Sequence, residues 1–128
     1  NPEVSSVRDS DRIIGLLDSK TVKATKGEQV DKHLLVTRYD PARAGRGDML
    51  SVDDVLEILS IPLLGIIPES REILRASNVG APVTLNNPAC APARAYSEAA
   101  KRLGGEEIVM TVPAKPNLLT KLFGRRAA

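Results

Sequence analysis

Two short polar loops hold the residues best suited to chemistry, Thr37-Arg38-Tyr39-Asp40-Pro41 and Ile67-Pro68-Glu69-Ser70. Each follows a short apolar run, and ligands of open α/β sheets sit at the carboxyl ends of the strands. Arg38 has a flat guanidinium that can stack on a purine ring, and backbone groups around Pro68, Glu69 and Ser70 can read a base edge. The competing reading makes Arg38 a solvated surface arginine.

No other segment offers catalysis. Nothing matches G-x-x-x-x-G-K-[ST], and Gly45-Arg46-Gly47 is only a basic turn. The chain thus lacks the phosphate-binding lysine and the magnesium-binding hydroxyl of nucleotide hydrolysis. His33 and Cys90 are the only residues of their kinds. They read as a strand-capping and a packing residue rather than a nucleophilic pair, and one His with one Cys cannot build a zinc site. No catalytic or metal-ligating residue is therefore assigned.

The C-terminus carries a second kind of chemistry. On a helix, Leu118, Leu119, Leu122 and Phe123 cover about 140° of one face, with Lys121 and Arg125 on a flank. Arg126 would enter the apolar arc, so such a helix ends near Gly124. Of 18 basic residues, four (Lys115, Lys121, Arg125 and Arg126) lie in 113–128 with no acid. That leaves 14 against 16 acidic residues in 1–112, a net of −2. A mildly acidic body with a basic, leucine-containing tail points to anionic membrane lipid and away from nucleic acid. The alternative is a last helix docked on the body. Scarce aromatics, two Tyr, one Phe and no Trp, also argue against stacking platforms for single strands.

The elements that must position these residues alternate. A helix is expected from Asn1 (N-cap) and Pro2 to about Ser19, with Ile13, Ile14, Leu16 and Leu17 buried. Lys20 to Asp31 reads as a loop. Leu34-Leu35-Val36-Thr37 is a strand covered on both faces, and Tyr39 to Gly47 a loop. Ser51 and Asp54 form a capping box opening a helix with Val52, Val55, Leu56 and Leu59 inward. Leu63 to Ile67 is a second strand. A helix follows from Ser70 to before Gly80, Pro82 to Leu85 is extended, and Pro92 opens a last domain helix packing through Ala93, Tyr96, Ala100 and Leu103. The expected class is α/β, a mostly parallel sheet flanked by helices, with a linker at 106–116 and an amphipathic helix at 117–126. Two strands make no stable open sheet alone, so further strands are expected upstream.

Several strings resemble the MinD/ParA family of deviant-Walker P-loop ATPases. They are Asn1 to Arg12, His33 to Tyr39, Arg46 to Ser51, Asp53 to Leu59, Ile67-Pro68-Glu69, Leu74 to Asn78, and Leu122-Phe123-Gly124. The resemblance implies the C-terminal half (1–105) of a P-loop ATPase domain. With ATP and Mg2+ that family forms a homodimer and binds the cytoplasmic face of the inner membrane through its C-terminal helix. It recruits the division inhibitor MinC, and MinE stimulates its hydrolysis, so that division falls at midcell. By resemblance, Glu3 reaches the nucleotide across the dimer, and Arg38, Pro68 and Glu69 border the adenine. Ser5, Asp9 and Asp11 contribute to the partner surface. Leu118, Leu119, Lys121, Leu122, Phe123 and Arg125 enter the membrane. Asp40 stands where the family suggests Asn, and Ser70 where it suggests Asp. Without a P-loop this chain alone is expected neither to hydrolyse ATP nor to hold it tightly. A DNA-partitioning relative and a non-catalytic membrane scaffold remain alternatives.

Overall fold

A computed structural model describes residues 1–113. The candidate membrane residues Leu118, Leu119, Lys121, Leu122, Phe123 and Arg125 lie outside the described residues. The elements are α1 (Val4–Lys20), α2 (Val22–Thr25), β1 (Leu34–Tyr39), α3 (Pro41–Arg46), α4 (Val52–Leu59), β2 (Leu63–Pro68), α5 (Arg71–Asn78), α6 (Val83–Asn86) and α7 (Ala91–Leu103). β1 and β2 pair in parallel with α3 and α4 between them, so the α/β expectation holds.

α1 starts later than expected. Pro2 is fully buried, and its carbonyl accepts the Leu50 N–H at 3.0 Å, so the first residues belong to the body rather than to the helix. Glu3, with extended backbone, becomes the N-cap in place of Asn1. The expected burial of Ile13, Ile14, Leu16 and Leu17 is also corrected. Val7 is the buried residue of α1, Ile14 and Leu17 are half-buried, and Ile13 and Leu16 are more than half exposed.

Three expected irregular segments contain helix. Thr21 accepts the Ala24 N–H at 3.1 Å and so caps α2 inside the expected Lys20–Asp31 loop. In the expected loop at Tyr39 to Gly47, Asp40 accepts from the backbone of Ala42 and Arg43, Pro41 fits the first turn, and Gly47 at φ 80 ends α3. The expected extended run from Pro82 contains α6. The capping box is as read: the Ser51 hydroxyl accepts the Asp54 N–H, and the Asp54 carboxylate accepts the Ser51 N–H at 2.9 Å.

One core joins the sheet to α1 and α4 through Val7, Val36, Tyr39, Met49, Val52, Val55, Leu59 and Ile66. A second joins α5, α6 and α7 through Ala76, Val83 and Ala93. α7 packs on β2, where Ala99 meets Gly65, and its buried residues are Pro92, Ala93 and Ala99. Ala100 and Leu103, expected in that stripe, are exposed. The approach is close because Gly65 has no side chain: a Cβ there would stand 3.0 Å from Ala99 Cβ and 3.1 Å from Leu35 Cδ1.

The strand pairing carries two compensating irregularities. Leu34 pairs with Leu63 but Leu35 with Gly65, so Leu64 is an extra residue on β2. β1 regains that residue between Val36 and Tyr39, where Arg38 adopts a left-handed φ of 55°. Tyr39 and Pro68 then pair in step at the carboxyl ends. A bulge of this kind re-aims side chains at the end of a strand.

Candidate nucleotide-base site

The parallel pairing brings the two candidate loops to one end of the sheet. The Glu69 N–H donates to the Tyr39 carbonyl at 2.9 Å, extending the ladder past Pro68. Left-handed Arg38 turns outward, and its Nε donates to Glu69 Oε2 at 3.0 Å. Their side chains are 62% and 47% exposed, and such an ion pair contributes only about 0–1 kcal/mol, so a planar ligand can displace it at small cost. Pro68 beside them is half-buried. Arg38 is thus both solvated and fixed in direction.

The neighbours of these residues serve the fold. Asp40 caps α3, and the Ser70 hydroxyl accepts the Glu72 N–H at 3.2 Å to cap α5. Both residues therefore start the helices leaving the site. Tyr39 is buried beneath the loop. Burial, with the nearby Asp53 and Asp40 carboxylates adding to it, pushes its hydroxyl up from the usual phenol range and keeps it neutral.

Glu3 lies elsewhere. Its carboxylate faces Arg43 Nη1 at 3.6 Å, and both line a cleft of about 500 Å³ with Ala44, Gly47, Asp48 and Asp54. Arg43 was not singled out by sequence. Its only signal is Asp40-Pro41 with Gly47, which marks α3 and turns a loop arginine into one with a fixed direction. Ser5, Asp9 and Asp11 are all exposed on α1. At about 100° per residue Ser5 and Asp9 share a face, while Asp11 projects from the opposite side.

Arg38 presents an exposed guanidinium beside half-buried Pro68. Among the described residues no group of three or more His, Cys, Asp or Glu converges as metal ligands.

Comparison with known proteins fits this picture. No family model matches the chain. Septum site-determining protein MinD of Escherichia coli K12 is 54% identical over 127 residues, 97% of this chain and 47% of the relative. That of Neisseria meningitidis serogroup B is 52% identical over 126 residues, 97% and 46%. The chain spans about half the length of the relatives it matches. Among solved structures, the MinD cell division protein of Aquifex aeolicus superposes with a TM-score of 0.75 at 38% identity, covering 88% of this chain and 44% of that one. A MinC:MinD complex from the same organism gives 0.74 at 38% identity, covering 88% and 43%. MinD of Pyrococcus horikoshii OT3, solved with Mg-ADP, gives 0.64 at 23% identity over 80% and 38%, a likeness of fold alone. In sequence and in fold the chain is similar to the MinD proteins, over about half of their length.

Proposed function

We propose that the chain is the C-terminal half of a membrane-associated cell-division ATPase. Its parent dimerises with ATP, binds the cytoplasmic face of the inner membrane and recruits a division inhibitor to place the septum at midcell. The observation that carries the nucleotide part is the Arg38–Glu69 pair, directed outward beside Pro68 at the carboxyl ends of two parallel strands. Arg38 would stack on adenine as the weak ion pair opens, Pro68 would bound the ring, and backbone groups would fix its edge. ATP and Mg2+ supply the phosphoryl chemistry, with the phosphates held by a P-loop outside this chain. The partner reading is supported by the exposure of Ser5, Asp9 and Asp11 and by the solved MinC:MinD relative. MinE, the homodimer and lipid remain part of the same proposal.

Two measurements test it. In the parent-length ATPase, Arg38→Ala weakens binding of a fluorescent adenine nucleotide by about 2- to 30-fold, the range of a cation–π contact. Unchanged affinity would remove Arg38 from the site. Leu122→Glu or Phe123→Glu abolishes sedimentation with anionic vesicles while circular dichroism is unchanged, and undiminished sedimentation counts against the tail. One tail binds reversibly and two on a dimer bind far more tightly through effective concentration. A wild-type body with salt-sensitive DNA binding would favour a partitioning protein instead.

A further inference from the structure

Arg102, on the last turn of α7, makes more side-chain hydrogen bonds than any other of the described residues. It is 11% exposed. Its Nη1 donates to the Leu64 carbonyl at 3.1 Å, its Nε to Ile108 O at 2.9 Å, and its Nη2 to Val109 O at 3.0 Å. Nη2 also lies 3.4 Å from Glu98 Oε2.

Leu64 is the residue that the β1–β2 pairing skips. Its carbonyl is the one that the Arg102 guanidinium reaches on β2. The other two carbonyls belong to 106–113, a stretch with neither helix nor strand that returns across β2. Met110 packs on the first core, while Val109 and Val112 point outward. Met110, Thr111 and Pro113 wall a cleft of about 410 Å³ whose other side is Ile66, Pro68, Ala95 and Glu98. One side chain thus ties a helix, a strand irregularity and a returning segment together.

We propose that Arg102 is a clasp holding 106–113 as a strap over the β2 side of α7. The clasp opens as a local unit while α7 and β2 stay folded, and it fixes the place from which the chain leaves the body. The proposal requires neither nucleotide nor membrane, so it stands or falls apart from the function proposed above. Of its own the strap has Met110 against the first core and a backbone bond at Glu106. The Glu106 N–H bonds the Lys101 carbonyl, but Ile108 and Val109 offer their carbonyls to Arg102. Segments with few buried contacts open well below the free energy of global unfolding.

Arg102→Lys and Arg102→Met test the clasp. Lysine keeps the charge but offers a single ammonium in place of a fork. Methionine keeps the apolar stem. The full chain is digested with thermolysin under native conditions, and cut sites are read by mass spectrometry. Both variants accelerate cleavage within 106–113 by about tenfold or more, while cleavage within α7 and β2 stays at the wild-type rate. Unchanged strap cleavage overturns the proposal, as does acceleration of strap, α7 and β2 together, which would make Arg102 a support of the whole fold. Should both variants unfold, the wild type decides. Strap cleavage with a shallower urea dependence than global unfolding supports local opening, and an identical dependence overturns it.

Discussion

α1 and α7 are the two longest helices among the described residues, and they are held in opposite ways. α1 has seventeen residues and one, Val7, is buried. α7 has thirteen and buries Pro92, Ala93 and Ala99 against β2 and α6, with Arg102 bonding its last turn to β2. α1 is anchored near its start and presents most of its length, including Ile13 and Leu16, to solvent. The helix richer in large apolar residues is the less buried one. Apolar content therefore records a demand for partners, whereas small residues such as Gly65 and Ala99 record where partners have already closed together.

Matched substitutions sharpen that contrast, beginning with the sheet. Ile67 is fully buried in β2, and Ile67→Ala lowers the unfolding free energy by about 2–5 kcal/mol in urea melts. A cost below about 1 kcal/mol would mean that the sheet is no better packed than α1. Gly65→Ala comes next, at about 1–3 kcal/mol, because the new methyl meets Ala99 and Leu35. An Ala99→Gly partner change that recovers part of the loss locates the clash. Asp40→Ala removes the α3 cap and costs about 1 kcal/mol, together with helix signal in circular dichroism.

A smaller effect depends on pH. The Ser51 hydroxyl, then its backbone N–H, donates to Asp54 and holds that carboxyl below the usual carboxylate range. Because the folded pKa is the lower one, the stability from this box is present above the ordinary carboxylate pKa. It is lost as pH falls through the lowered value. The urea midpoint of the wild type therefore falls across that acidic window by more than that of Asp54→Asn. Smallest of all, Ile13→Ala changes stability by no more than about 0.5 kcal/mol. A loss resembling that at Ile67 would erase the distinction between the helices.

The elements with strong local signals were legible in the sequence. β1 and β2 follow from their aliphatic runs, α4 from Ser51 and Asp54, and α5 from Ser70. α3 was legible in principle, since Asp40, Pro41 and Gly47 are its cap, first turn and terminator. Pro, Gly and charge in one short stretch read more readily as loop. α6 carries no side-chain cap and has no comparable signal. Burial along α1 was misread because periodicity tells which residues seek cover, not whether the described residues provide it. The meeting of Arg38 and Glu69 was visible only through strand order. Neither strand irregularity nor the bonds of Arg102 left a mark in composition or spacing, because both arise from register between segments distant in sequence.

Those two irregularities have a consequence for how this sheet tolerates changes in length. The strands resemble meshed gears that each carry one surplus tooth. Losing Leu64 alone would remove the irregularity of β2 and leave that of β1 without its counterpart. Losing one residue from each strand would restore the mesh but flatten the kink that aims Arg38. Insertions and deletions here are thus tolerated in matched pairs, and even a well-meshed pair erases the guanidinium's direction.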